Sequence, residues 1–245
     1  MKKLALALLF LTPMSVMAQE QYSLGLGVGY QQKPYVGDNS SWVPVPHFEY
    51  QNGRFFIKGL KAGLFIVDMP TTKVDTHLRY QSLNFKPKDS EGALRDLNRR
   101  KSTIELGVGA MHIFPSQFFV SADIDADILG RSKGVNIDAG GGIIHNFNDH
   151  FKVIPKVGGI WSSKKHNDYY YGVSREESAR SGVTEYNPDS SFTPYVGVGT
   201  VIDATDNLHL FGGVQVKFLP SEVKNSPMTN RSALSSFALG INYNF

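Results

Sequence analysis

The chain has 245 residues, no cysteine, and 25 basic against 22 acidic side chains, which gives a formal net charge of +3 at pH 7. So small a charge gives no electrostatic argument for nucleic-acid binding. The lack of cysteine excludes disulfide and thiolate–metal frameworks, so stability must come from packing and backbone hydrogen bonding.

The first 18 residues, MKKLALALLFLTPMSVMA, have the pattern of a secretory signal peptide. Two lysines precede an apolar run from Leu4 to Leu11, and small residues lead up to Ala18, after which cleavage is expected. The apolar run is too short to span a bilayer as a helix. We therefore predict an exported protein with a signal peptide, 1–18, and a single domain, 19–245.

Apolar residues then alternate with small or polar ones, as in YSLGLGVGY at 22–30. Period two is typical of a β-strand with two different faces. The predicted strands lie near 22–31, 43–51, two halves of 53–68 split around Gly59-Leu60-Lys61, 73–85, 102–114, 117–129, 135–147, 151–161, 190–202, 207–219 and 232–245. The pattern predicts twelve strands, with ten as the alternative.

The second face of these strands is rich in Gly, Ser and Asn, which suits a narrow interior better than the wet face of a soluble sandwich. Strands of about a dozen residues match the 9 to 11 tilted residues that cross a bilayer, plus an overhang. In lipid every backbone polar group must be paired, so such a sheet closes into a barrel. The predicted fold is an all-β transmembrane antiparallel barrel.

Aromatic residues on the apolar face favour the same fold. Phe114, Phe118, Phe147 and Phe151 flank two very short turns and are expected to form one interfacial girdle. The outward residues of the opposite strand ends, which would form the second girdle, are Trp161, Phe192 and Phe218. Short turns are then periplasmic and longer loops extracellular. The final strand, SFALGINYNF, alternates to a terminal Phe245, a pattern that resembles the targeting strand of bacterial outer-membrane proteins.

The stretch FFVSADIDADIL places three carboxylates on one strand face: Asp123, Asp125 and Asp127. A calcium loop of the EF-hand type is excluded, because its glycine and glutamate positions hold Ile128 and Gly134. Pairing across hairpins is expected to bring Glu105, Asp125 or Asp127, and Asp138 side by side on the inner wall. The predicted acidic patch comprises Glu105, Asp123, Asp125, Asp127 and Asp138.

Carboxylates this close require cations or protons. Arg79 lies on the preceding strand, and Arg99, Arg100 and Lys101 lie at the rim above it. The inward basic groups expected in the lumen are Arg79, Lys152, Lys156 and Lys217, with His209 beside them. An internal ion-pair network is preferred to a cation site.

Inward glycines on several strands leave space inside the barrel, and the outer loop 163–189 is a candidate to fill it. Ser174 and Glu177 form a capping box and Gly182 is expected to end a short helix. The helix either enters the lumen or covers its mouth, and the sequence leaves both open.

Catalytic signatures are missing from the sequence: it contains no GxSxG and no HExxH, and its histidines show no metal-ligand spacing on one strand face. We therefore expect no enzyme activity, no cofactor and no metal.

Several segments of the last two thirds resemble the MipA/OmpV family of outer-membrane proteins. They are HNDYYYGVSREESARSG, LHLFGGVQVKFLPSEVKNSPM, LGINYNF and ALRDLNRRKSTIELGVGA. The resemblance implies a non-enzymatic barrel in the outer membrane of a Gram-negative bacterium. It implies a scaffold that links a murein lytic transglycosylase to a penicillin-binding protein in peptidoglycan synthesis.

The alternative is a porin-like channel for small solutes or cations. In either case the barrel is expected to contact outer-membrane lipid and lipopolysaccharide, and no nucleic acid.

Overall fold

The computed structural model describes residues 21–37 and 41–245, so the predicted signal peptide lies outside the described residues. The strands are β1 (Gln21–Gln31), β2 (Ser41–Asn52), β3 (Phe55–Lys58), β4 (Lys61–Asp68), β5 (Thr72–Gln81), β6 (Thr103–Ile113), β7 (Phe118–Asp127), β8 (Val135–Ile143), β9 (His145–Asn148), β10 (Phe151–Ser162), β11 (Ser191–Asp203), β12 (Leu208–Phe218) and β13 (Ala233–Asn244). The helices are α1 (Lys164–Tyr171), α2 (Arg175–Ser181), α3 (Ser221–Lys224) and two 3-10 turns, Pro87–Asp89 and Gly92–Asp96. No helix in these ranges is long and apolar enough to cross a membrane.

All strand pairs are antiparallel, and the sheet closes into a barrel. β1 pairs with β13 along its length, and β10 pairs with β11, so the described sheet forms a closed ring. β9 continues β8 beyond Ile144 and pairs with β10 alone, so the two make one crossing. The ring therefore has twelve crossings, which confirms the predicted fold with twelve strands rather than ten.

The split of 53–68 is confirmed, because Gly59, with φ of +56°, turns the chain between β3 and β4. β3 has only four residues, so it covers only the Glu49–Asn52 end of β2. The remainder of β2, Ser41–His47 at the outer end, pairs with β1 alone.

Two prolines lie on this open edge of β2. The carbonyl of Phe48 accepts a bond from Gly59 N at 3.2 Å, so even-numbered residues of β2 direct their backbone polar groups toward β3. Pro44 and Pro46 share that parity, and they lack the N–H groups that would otherwise stand unpaired above the short hairpin. An edge that has lost two donors is a poorer template for another strand.

Outward side chains form aromatic girdles at both ends of the barrel. Phe114 stacks on Phe118 with ring centroids 5.7 Å apart, and Phe147 stacks on Phe151 at 5.4 Å, both beside short turns. The outward aromatic residues of the other end include Trp161, Phe192, Phe218, Trp42 and Phe237, all exposed. Their positions agree with the two predicted interfaces.

The predicted strand 73–85 ends early, at Gln81. Phe85 instead forms an isolated bridge with Arg100 and is buried in a hydrophobic cluster outside the barrel wall. Apolar residues here pack against other loops rather than against lipid, which the alternation alone could not distinguish.

That cluster is the core of a cap built from the outer loops, which we call the outer cap: residues 32–37, 82–102, 163–190 and 219–232. Its buried residues are Tyr35, Phe85, Leu94, Leu97, Tyr170, Tyr171, Val173, Leu219, Val223 and Met228. One hydrophobic core is thus shared by four separate loops.

The predicted loop helix is α2. Ser174 Oγ accepts a bond from Glu177 N at 3.2 Å, Glu177 Oε2 accepts one from Ser174 N at 3.1 Å, and Gly182 ends the helix with φ of +74°. Arg180 donates to the carbonyl of Asp96 in the β5–β6 loop at 2.9 Å. The helix is therefore part of the outer cap.

Candidate functional site

The inner wall of β6, β7 and β8 carries the acidic side chains expected from the sequence. Glu105 lies opposite Asp127, and Asp123 lies opposite Asp138. Asp125 lies opposite Gly107 on one side and Asn136 on the other. The expectation that Asp125 or Asp127 would neighbour Asp138 is therefore wrong, because the β7–β8 register sets Asp123 there.

Asp123 and Asp125 belong to a cluster that we call the central network: Lys61, Asp75, His77, Arg79, Asp123 and Asp125. Lys61 Nζ lies 3.1 Å from Asp75 and 2.9 Å from Asp123. Arg79 lies 2.9 Å from Asp123 and 3.4 Å from Asp125. The cations come from β4 and β5 and the acids mostly from β7, so the network ties three strands together along one part of the inner wall.

His77 links two of the acids. Its Nδ1 lies 2.6 Å from Asp75 Oδ1 and its Nε2 2.8 Å from Asp125 Oδ1. Both nitrogens can donate only when the imidazole carries two protons and a positive charge. The cluster then contains three cations and three carboxylates. This balance of charge supports an ion-pair network rather than a metal site formed by unpaired acids.

Two inward glycines make room for this network. A Cβ atom on Gly107 would overlap Asp125 and His77, and one on Gly109 would lie 2.6 Å from Asp123 Oδ1 and 3.0 Å from Lys61 Nζ. The space that the glycines leave is thus filled by charged side chains, not by the loop helix.

Asp127 serves the outer turn rather than the lumen. Its carboxylate accepts backbone N–H bonds from Leu129 at 3.0 Å, Ser132 at 2.6 Å and Lys133 at 2.9 Å, together with a bond from the Thr103 hydroxyl. This set of donors fixes the β7–β8 turn.

Glu105 connects the barrel wall to the outer cap. It accepts a bond from Asn136 Nδ2 at 2.9 Å, and the same amide lies 3.1 Å from His166 Nδ1 in α1. Because the amide donates, the His166 nitrogen must accept, which requires a neutral imidazole.

The opposite wall carries the remaining predicted groups. Asp138 accepts a bond from the Tyr195 hydroxyl at 2.9 Å, and Lys156 Nζ lies 6.0 Å from the centre of the Tyr195 ring. Lys217 is the β12 neighbour of Tyr195. Lys152 lies apart from these groups, 2.7 Å from Asp203, which His209 also contacts at 2.7 Å. Lys152 therefore does not face the acidic patch.

A cavity of about 340 Å³ borders the central network. Its apolar wall comes largely from Phe56, Phe65, Met111, Phe119, Ile144 and Ile154. Several of these residues lie near the short turns, so the cavity extends to the periplasmic side of the network.

Sequence reasoning missed Lys61, Asp75 and His77. A signal was present, because Asp75, His77 and Arg79 alternate in TKVDTHLRY with the period of an inward strand face.

The alternation can be tested with cysteines, since the chain has none of its own. Ile124 is 53% exposed and Asp125 is 2% exposed. We expect a lipid-soluble maleimide to modify Ile124→Cys and to leave Asp125→Cys unmodified in folded protein. Ser121→Cys, inward but outside the central network, is the control for folding, and equal labelling at positions 121 and 124 would contradict the assigned faces.

A second buried ion pair lies in the outer cap. Arg100 contacts Glu177 through two bonds of 2.9 Å, and it also donates to the carbonyl of Gly172 at 2.9 Å. Burial alone would raise the pKa of Glu177, but bonds from Arg100 and from the backbone of Asn98 and Ser174 outweigh it and hold the pKa below its ordinary value. This carboxylate is charged at neutral pH and joins two loops.

Within residues 21–37 and 41–245, no group of three His, Cys, Asp or Glu side chains is arranged to hold a metal ion.

A closed antiparallel barrel with two aromatic girdles, short turns at one end and a cap at the other defines an outer-membrane β-barrel protein. The chain matches the family described as MltA-interacting protein MipA over residues 24–245. It belongs to this family, which confirms the resemblance seen in the sequence.

Two of the relatives cover nearly the full length of the chain. The MltA-interacting protein of Escherichia coli K12 is 34% identical over 100% of this chain and 99% of its own. The putative outer membrane protein YiaT of the same organism is 27% identical over 98% and 97%. Outer membrane protein OmpV of Vibrio cholerae is 25% identical over 58% of this chain and 54% of its own.

Among solved structures, the NanC porin covers 90% of this chain and 98% of its own at 8% identity, with a TM-score of 0.46. The COG4313 outer membrane channel of Pseudomonas putida F1 covers 96% and 100% at 8% identity, with a TM-score of 0.45.

Proposed function

We propose that the protein is a non-enzymatic outer-membrane scaffold that holds an MltA-type murein lytic transglycosylase at the periplasmic face. The observation that carries this proposal is the 34% identity, over the whole chain, to a relative named for its interaction with MltA. The family resemblance further implies a bifunctional penicillin-binding protein as the second partner.

The periplasmic face available to such partners consists of short turns, and the β4–β5 turn is the one we select. Met69 at its tip is 58% exposed, its N–H donates to the carbonyl of Thr72 at 2.9 Å, and an ion pair of 2.8 Å between Asp68 and Lys73 closes its base. A rigid turn that presents a flexible thioether suits a protein interface.

A neighbouring part of the same rim offers a second contact. Residues His145–Asn148 of β9 are exposed and pair with β10 only, because β7 begins opposite Ile143. Its free backbone edge can accept an extended segment of a partner.

The scaffold is tested by affinity capture of the tagged protein from mildly cross-linked, detergent-solubilised outer membrane, with an unrelated barrel as control. Enrichment of a lytic transglycosylase supports the proposal. Its absence under conditions that retain other outer-membrane contacts would count against it.

The docking turn is tested with purified transglycosylase. We expect Met69→Asp to weaken binding about tenfold or more, because a charge replaces an apolar contact at the centre of the interface. Ala204→Asp, on the exposed β11–β12 turn, is the matched control. If both variants bind as the parent does, the scaffold stands but docking lies elsewhere on the rim.

A further inference from the structure

Three neighbouring outer loops carry a group of exposed cations, which we call the outer basic rim: Lys101, Arg131, Lys133, Lys164 and Lys165. The loops are held together locally. Lys101 N donates to the Tyr169 hydroxyl at 2.8 Å, and Ser163 and Val135 exchange bonds of 2.9 Å through Ser163 N and Ser163 Oγ.

Few short ion pairs offset these cations, although the exposed Asp168 shares α1 with Lys164 and Lys165. Within the described ranges, the rim has one contact with an acid, Lys164 to Asp189, and it spans 4.0 Å between two largely exposed side chains. Asp127, directly below, is occupied by the backbone of its own turn. The rim therefore presents a positive surface to the outside.

Apolar side chains lie beneath the cations. Ile128 is 50% exposed, Leu129 49% and Trp161, on the adjoining β10, 38%. Cations above exposed aliphatic and indole groups are the arrangement expected where a protein crosses from acyl chains to charged headgroups.

The turn that carries two of the cations is rigid. Lys133 has φ of +52°, an uncommon conformation for a residue other than glycine, and its N–H is held by Asp127. Arg131 and Lys133 thus project from a preorganised turn, which lowers the ordering cost of binding.

We propose that the outer basic rim binds the phosphates of a bisphosphorylated glycolipid of the lipid A type in the outer leaflet. Its acyl chains would lie against Ile128, Leu129 and Trp161. Phosphate suits the rim because it offers several charged acceptors to Arg131 and the lysines at once. The site lies at the opposite end of the barrel from the proposed periplasmic docking turn and is independent of it.

The test uses tryptophan fluorescence, because the chain has only two tryptophans. Trp42→Phe leaves Trp161 as the sole reporter, and vesicles of brominated phosphatidylcholine quench it. Added bisphosphorylated lipid A without bromine should displace brominated lipid from Trp161 and restore emission. Lipid A stripped of both phosphates should restore it no better than unbrominated phosphatidylcholine.

In the same background, Arg131→Gln with Lys133→Gln should raise the lipid A fraction needed for half recovery about 10- to 30-fold, from the loss of two cations near the surface. Lys88→Gln with Lys224→Gln, exposed elsewhere on the outer cap, removes the same charge as control. Unchanged heat-modifiability on gels shows that each variant is folded. Equal recovery with phosphorylated and dephosphorylated lipid, or equal behaviour of the two double variants, would overturn the proposal.

Discussion

Replacing Glu177 with glutamine is expected to destabilise the outer cap by about 3 to 5 kcal/mol, the cost of leaving a buried charge without its partner. Arg100 is 6% exposed and Glu177 2%, so water cannot replace the lost carboxylate. An amide would also turn an N–H group toward the guanidinium. Since Glu177 bonds to Asn98 N at 2.7 Å as well, the substitution weakens the link between α2 and the β5–β6 loop.

Hydrogen exchange measures this effect directly. Amides of α2 and of Gly92–Asp96 should exchange faster in Glu177→Gln, while those of the barrel strands remain protected. Glu176→Gln, the exposed neighbour on the same helix, is the matched control. Indistinguishable exchange in the two variants would show that the pair does not hold the cap.

The same variant tests the channel interpretation. If the outer cap limits an aqueous path, Glu177→Gln should conduct in planar bilayers more than Glu176→Gln does. Equal conductance would mean that the cap is not what closes the barrel.

Acidification should loosen the outer cap through His166. Burial lowers the pKa of His166 to about 4 from an ordinary value of 6.5. Its Nδ1 faces the Asn136 amide and its ring centre lies 4.8 Å from that of Tyr170, so a proton would have no acceptor there. The folded cap therefore prefers the neutral form.

The direction of the change in cap stability with pH follows from proton binding. Below pH 6.5 the opened cap takes up a proton that the closed cap does not. The stability of the closed cap therefore decreases as pH is lowered from 6.5 to about 4, below which both forms are protonated. The total loss is about 3 kcal/mol, or about tenfold in the opening equilibrium per pH unit within that window. The pKa of Glu177 is depressed in the closed cap, so this residue adds a further loss of cap stability once pH falls below the ordinary pKa of a glutamate.

Exchange of the outer-cap amides, corrected for the intrinsic rate at each pH, measures this dependence. His166→Gln should remove most of the change between pH 6.5 and pH 5, and His150→Gln, on an exposed periplasmic turn, should retain it. The interpretation fails if both variants follow the parent.

The twelve crossings could be predicted because period two persists along every strand and the outward face is apolar. The α2 helix could be predicted because its capping residues, Ser174, Glu177 and Gly182, are close in sequence. The pairing of Asp123 with Asp138 could not be predicted, because the strand register depends on how Asp127 holds the β7–β8 turn. A small shift in that register would place a different residue opposite Asp138.

The outer cap was also beyond the reach of the sequence pattern. Tyr35, Phe85 and Tyr171 pack with ring centroids 5.1 and 6.1 Å apart, yet they lie in three different loops and show no common periodicity. The partners of Arg100 were missed for the same reason, since 77 residues separate it from Glu177.

The cap core can form only after the barrel sheet has closed during assembly. It joins Tyr35, just after the first strand, to Met228, just before the last, and those two strands meet only when the sheet closes. The core therefore cannot form on a partly assembled chain. The entropic cost of closing these loops is incurred at the final step, when the sheet closes. In an unclosed barrel the tyrosine and leucine side chains of the cap core would be exposed to solvent, whereas in the closed barrel they are buried. Burial of these side chains therefore indicates that the ring is complete.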